Sequence, residues 1–91
     1  VSDEGILEAM RILGQESGVF AEPAGATPFA GLLKMLREGR IDPAERIVVL
    51  VTGNGLKDIP SAIRAVGQPL YVEPAVEDLQ RVVEDLGLAA R

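Results

Sequence analysis

The run Ile47-Val48-Val49-Leu50-Val51 constrains this chain more than any other feature. Five β-branched or leucine residues without polar alternation match a strand covered on both faces, the pattern of parallel α/β sheets. The next stretch, Thr52-Gly53-Asn54-Gly55-Leu56-Lys57-Asp58, is rich in turn chemistry. Glycines beyond the C-terminal end of a parallel strand lie where such sheets bind ligands, because backbone can approach closely there. The spacing fits neither familiar phosphate loop. A P-loop needs G-x-x-x-x-G-K-[ST], and the dinucleotide fingerprint would require a glycine at Asp58. A tight Asn-Gly turn with no ligand is the competing reading.

Around that run the chain alternates helical and extended patterns. Ile6, Leu7, Met10 and Leu13 fall at helical spacing, with Ser2 or Asp3 as cap and Gly18 as terminator. Residues 19–21 form a short apolar run that reads as a strand. Phe29, Leu32, Leu33 and Leu36 mark a second helix. It should begin near Thr27, with Pro28 in its first turn and Gly39 at its end. Asp42, Pro43 and Glu45 suit one short helical turn. Strand 19–21, a helix and strand 47–51 then make a βαβ unit with a right-handed crossover. A short helix over 60–66 follows, then an extended stretch whose residues 70–72 are a further strand candidate. A last helix carries Leu79, Val82, Val83 and Leu86. Glu-Pro-Ala occurs at 22–24 and 73–75, each ahead of a helix, and the segments between do not repeat. Such a tripeptide can be plain helix-entry chemistry, with an acid near the N-terminus and proline in the first turn.

Composition narrows the chemistry. The 91 residues suit one small domain, here a single segment 1–91 with a looser tail over 67–91. The net charge of −5, with no basic stripe, argues against nucleic acid as a partner. Without cysteine or histidine there is no thiol nucleophile, no Ser-His-Asp catalysis and none of the usual zinc ligand sets. No apolar run approaches the ~20 residues of a membrane span, so the chain reads as cytoplasmic with no membrane partner. Val1 in place of methionine points to a piece of something longer.

The segments VSDEGILEAMRIL, GVFAEPAGA and GLLKMLREGRIDPAERIVVLVTGNGLKD resemble the C-terminal part of the threonine synthase family, pyridoxal-phosphate enzymes of fold type II. The likeness covers nearly everything up to Asp58 and, more loosely, the rest. Its most specific piece is Thr-Gly-Asn-Gly-Leu-Lys-Asp, where related dehydratases and racemases usually carry a serine-glycine-glycine type turn. The resemblance implies an α/β fold class: part of a three-layer sandwich, its short parallel sheet (19–21, 47–51 and the 70–72 candidate) flanked by helices.

The resemblance also implies a cofactor, pyridoxal phosphate. Thr52 would hydrogen-bond its pyridine nitrogen through a neutral hydroxyl, Gly53 and Gly55 would lay backbone beside the ring edge, and Asn54 would shape the turn. Glu22 would sit near the cofactor side, with the helix-entry reading beside it. The family's Schiff-base lysine and phosphate-holding loop belong to its N-terminal half and have no counterpart here. Lys57 is therefore expected to pair with Asp58 or face solvent, and no residue of this chain is assigned as catalytic or metal-binding. Gly5 and Thr27-Pro28 depart from the family pattern.

The whole enzyme of that family converts O-phosphohomoserine and water to L-threonine and phosphate, so this chain alone is expected to be inactive. Its expected partners are the N-terminal remainder, that substrate and further copies in a homo-oligomer. Two alternatives stand beside this reading: a stand-alone α/β binding module, and the same segment of a threonine or serine dehydratase.

Overall fold

The computed structural model describes residues 1–87. Four α-helices follow one another: α1 (Asp3–Ser17), α2 (Pro23–Arg37), α3 (Ile59–Val66) and α4 (Val76–Asp85), with one 3-10 turn at Gly55–Lys57. The last four positions of the expected tail, 88–91, lie outside the described residues.

Local chemistry explains where each helix starts and stops. The Ser2 hydroxyl accepts the Gly5 amide at 3.0 Å and caps α1, which ends at Gly18 with φ 74°. At the far end of α2, Arg40 N–H donates to Met35 O and Gly39 N–H to Leu36 O, with Gly39 at φ 70°. That is the Schellman arrangement, and it needs the left-handed conformation glycine adopts without penalty. Asp58 caps α3, accepting the Ser61 amide at 3.1 Å and its hydroxyl at 2.7 Å.

Two helix expectations change. The second helix begins at Pro23, not near Thr27, so Pro28 stands inside it. Pro23 already supplies the favourable first-turn proline, and the Thr27 hydroxyl donates to the Pro23 carbonyl at 2.9 Å within that early turn. At Asp42-Pro43 the chain makes a turn rather than a helical turn. Ala44 N–H donates to Asp42 Oδ1, and Glu45 N–H donates to the Asp42 carbonyl.

The parallel sheet is absent: among the described residues there is no strand, and the expected segments 19–21, 47–51 and 70–72 are irregular. The one bridge joins Ala21 to Asn54, and it is antiparallel. A parallel ladder needs at least one neighbouring strand to pair with, and among the described residues Ile47–Val51 finds none. Burial along the run alternates: Val49 and Val51 are half-buried, while Val48 and Leu50 are 87% and 73% exposed. Val51 packs against the core while Ile47, Val48 and Leu50 are exposed, so the two-face burial expected from the unbroken run is not realised here.

The core is built largely from alanine. Ala9 and Met10 of α1, Ala21 just before α2, Ala26 and Ala30 of α2, and Ala65 of α3 are buried, with Ile6, Leu7, Leu13, Phe29 and Leu33 packed around them. Alanine at the contact lets helix axes approach closely, so the large apolar residues that signalled each stripe flank the seam rather than fill it. Arg37 clasps Glu8 through two hydrogen bonds of 2.9 and 3.0 Å, tying the end of α2 to α1, and holds the Glu8 carboxyl below its ordinary value. Nothing in α4 is buried; Leu79 and Val76 are exposed. The radius of gyration, 16.5 Å, exceeds the about 12 Å expected for a compact chain of this length. No described helix is long and apolar enough to cross a membrane.

The Asp58 cap carries a pH dependence. Hydrogen bonds from the Ser61 hydroxyl and amide hold its carboxyl below the ordinary value. A carboxyl depressed in the folded state stabilises fully above its unfolded value, and that contribution is lost as pH falls through the folded one. Acidification should therefore fray the start of α3. Carbon-detected NMR titration is expected to place the Asp58 midpoint below that of an unfolded aspartate, and Asp58→Ala should remove the acid-induced change in the α3 amides.

Candidate functional site

The stretch Thr52–Asp58 is held against the entry to α2 by backbone. Glu22 N–H donates to Gly53 O at 2.9 Å, and Gly55 N–H donates to Phe20 O at 3.0 Å. The approach is close at three glycines. A Cβ on Gly25, in the first turn of α2, would stand 2.9 Å from the Gly53 nitrogen and 3.1 Å from its oxygen. A Cβ on Gly53 would collide with the Glu22 carboxylate, and one on Gly55 with the Phe20 ring. Gly53 and Gly55 are both buried.

Asn54 shapes the turn that follows. Its Oδ1 accepts the Leu56 amide at 2.8 Å and caps the 3-10 turn. Thr52 lies just before this crossing and is exposed. The structure thus brings Thr52, Gly53, Asn54, Gly55 and Glu22 together at one place, with Thr52 exposed.

Lys57 is largely exposed, one of its two expected states, and its ion-pair contact is with Glu22. Glu22 occupies the N-cap position of α2, yet its side chain makes no capping hydrogen bond. The carboxylate instead lies over Gly53 and faces the Lys57 ammonium at 3.9 Å. Lys57 therefore pairs across the site and not with its neighbour Asp58, whose oxygens are engaged by Ser61. The second Glu-Pro-Ala behaves differently: α4 begins only at Val76, and Glu73 N–H donates to Asp78. The likeness of the two tripeptides is confined to sequence. Gly25 was not singled out from sequence, although a glycine in the first turn of a helix costs propensity and can mark a close backbone approach.

A helix entry latched to a glycine turn, with an exposed hydroxyl beside it, is an arrangement that can present one neutral hydrogen-bonding group to a flat ligand edge. Comparison with known proteins gives that wall a family. A family model described as pyridoxal-phosphate dependent enzyme matches residues 1–53, and the chain belongs to that family. It is 48% identical over 86 residues to the threonine synthase of Methanocaldococcus jannaschii, covering 94% of this chain and 21% of that protein. It is also 44% identical over 88 residues to the threonine synthase of Mycobacterium tuberculosis, covering 97% of this chain and 24% of the relative. The likeness to the Synechocystis threonine synthase is 48% over 89 residues, 96% of this chain and 22% of that one. The chain spans between a fifth and a quarter of the length of the curated relatives it matches.

The described residues fit one edge of pyridoxal phosphate. Thr52 is exposed and carries a hydroxyl of the kind that suits a pyridine nitrogen, while the Glu22 carboxylate and the Phe20 ring fill the space beside Gly53 and Gly55. Both lysines, Lys34 and Lys57, face carboxylates, Glu38 and Glu22 respectively, and among the described residues no other group is placed to hold the aldehyde end.

Proposed function

We propose that this chain is the C-terminal part of a threonine synthase, and that Thr52–Gly55 form the wall of the cofactor site facing the pyridine nitrogen. The carrying observation is that the likeness to threonine synthases runs past the family match. That match ends at residue 53, whereas alignments covering 94–97% of the chain take in all of Thr52–Asp58. In this reading the whole enzyme turns O-phosphohomoserine and water into L-threonine and phosphate in the cytoplasm.

Pyridoxal phosphate, when bound, supplies an electron-withdrawing ring. The Thr52 hydroxyl hydrogen-bonds the ring nitrogen as a neutral partner, leaving it without the counter-charge that a carboxylate would give. Backbone at Gly53 and Gly55 would lie beside the ring edge, Asn54 sets the turn between them, and Glu22 borders the same wall. The remainder of the longer chain, N-terminal to this segment, provides the covalent lysine, the phosphate loop and the substrate contacts.

The full-length protein, supplied with pyridoxal phosphate and O-phosphohomoserine, should release threonine and phosphate together; release of neither overturns the assignment. The 91 residues alone should be inactive. Mixed with pyridoxal phosphate, they should give no visible absorption band that a single substitution of Lys34 or Lys57 abolishes, and finding one would refute the division of labour.

A further inference from the structure

Glu22 is not used as a helix cap, and that raises the question of what its carboxylate does. A negative side chain at the first turn of a helix is drawn to the exposed amides and the positive end of the dipole. Here it turns the other way, lies across Gly53 and leaves its side chain only 22% exposed. The counter-ion on that side is Lys57 at 3.9 Å, carried by the 3-10 turn that Asn54 caps. The same residue's backbone amide already grips Gly53 O. Glu22 thus holds the loop with its main chain and covers it with its side chain, and the ammonium of Lys57 draws the carboxylate away from the amides of α2.

We propose that Glu22 and Lys57 form a latch that fixes Thr52–Gly55 against the start of α2, making Lys57 a positioning residue for the Thr52 hydroxyl. The inference rests on the reading of Thr52 as the ring-nitrogen partner. Removing the ammonium leaves two positions in competition for the carboxylate, the loop and the helix N-terminus, and the helix then attracts it without opposition. Gly53 loses its cover, and the hydroxyl one residue away loses its fixed bearing. Because Lys57 is 65% exposed, the latch is a modest, salt-sensitive device rather than a source of fold stability.

The test uses the full-length protein with pyridoxal phosphate, read by the absorption maximum of the bound cofactor and by its apparent affinity in titration. Lys57→Met and Glu22→Gln should each weaken affinity about two- to five-fold, the scale of a partly exposed ion pair. Each should also move the absorption maximum in the direction that Thr52→Val moves it. Lys57→Arg should keep the parental values, and the double variant should be no weaker than either single one, since both remove the same contact. If Thr52→Val shifts the band while Lys57→Met leaves band and affinity unchanged, the latch falls and the Thr52 reading stands. If Thr52→Val itself changes neither, the Thr52 reading falls and takes the latch with it. A double variant equal to the product of the singles also overturns the latch.

Discussion

Gly25→Val is expected to destabilise the chain by about 1–3 kcal/mol, the usual cost of forcing extra methyl groups into a packed contact. Even the first added carbon would stand 2.9 Å from the Gly53 nitrogen and 3.4 Å from the Thr52 nitrogen. Those neighbours are backbone, so no side-chain rotation relieves the contact. Either the first turn of α2 or the 52–53 peptide must move, and the Glu22–Gly53 hydrogen bond opens in both cases. Gly14→Ala is the matched control. It lies inside α1 with no atom within 4 Å of the new methyl group, and should stabilise by up to about 1 kcal/mol through helix propensity. Urea unfolding of both variants beside the parent decides the matter, and a Gly25→Val midpoint at the parental value would show that the crossing is not packed.

The 91 residues by themselves are expected to self-associate, and we place the largest effect at Val48 and Leu50. Their outward face is open, Tyr71 is 78% exposed, and α4 offers its own uncovered apolar stripe. Exposed apolar surface gains about 25 cal/mol for each Å² removed from water, and so much of it invites a second copy. Sedimentation at high concentration should show species heavier than the monomer. Val48→Lys with Leu50→Lys should return the profile to monomer, because two charges on that face would be buried unpaired on association. A parent that sediments only as monomer refutes the prediction.

Much of the helical plan was legible in the sequence. Ser2, Gly18 and Gly39 act through their own backbone or one nearby side chain, so residue type and position were enough to place the boundaries they form, whereas the Asp58 cap of α3 was not singled out. The start of α2 was misjudged because two prolines competed for its first turn. Pro28 was given the place that Pro23 takes, as though a proline could not stand further in. The sheet was misjudged for a different reason. Periodicity in Ile47–Val51 reports that the run is apolar, but a strand exists only through its neighbours, and no described residue supplies a ladder for it.

The candidate site divides along the same line. Thr52, Gly53, Asn54 and Gly55 are adjacent in sequence, and the turn made by Asn54 is local, so their grouping could be anticipated. Sequence by itself determined the helix caps, the glycine turn and the absence of thiol or imidazole chemistry, all of which depend on residue type and short range. Only the tertiary structure decided that Glu22 turns from its own helix to Lys57, and that Gly25 meets the Gly53 peptide. Those contacts join residues about thirty positions apart, and no local preference encodes a distance that folding alone can close.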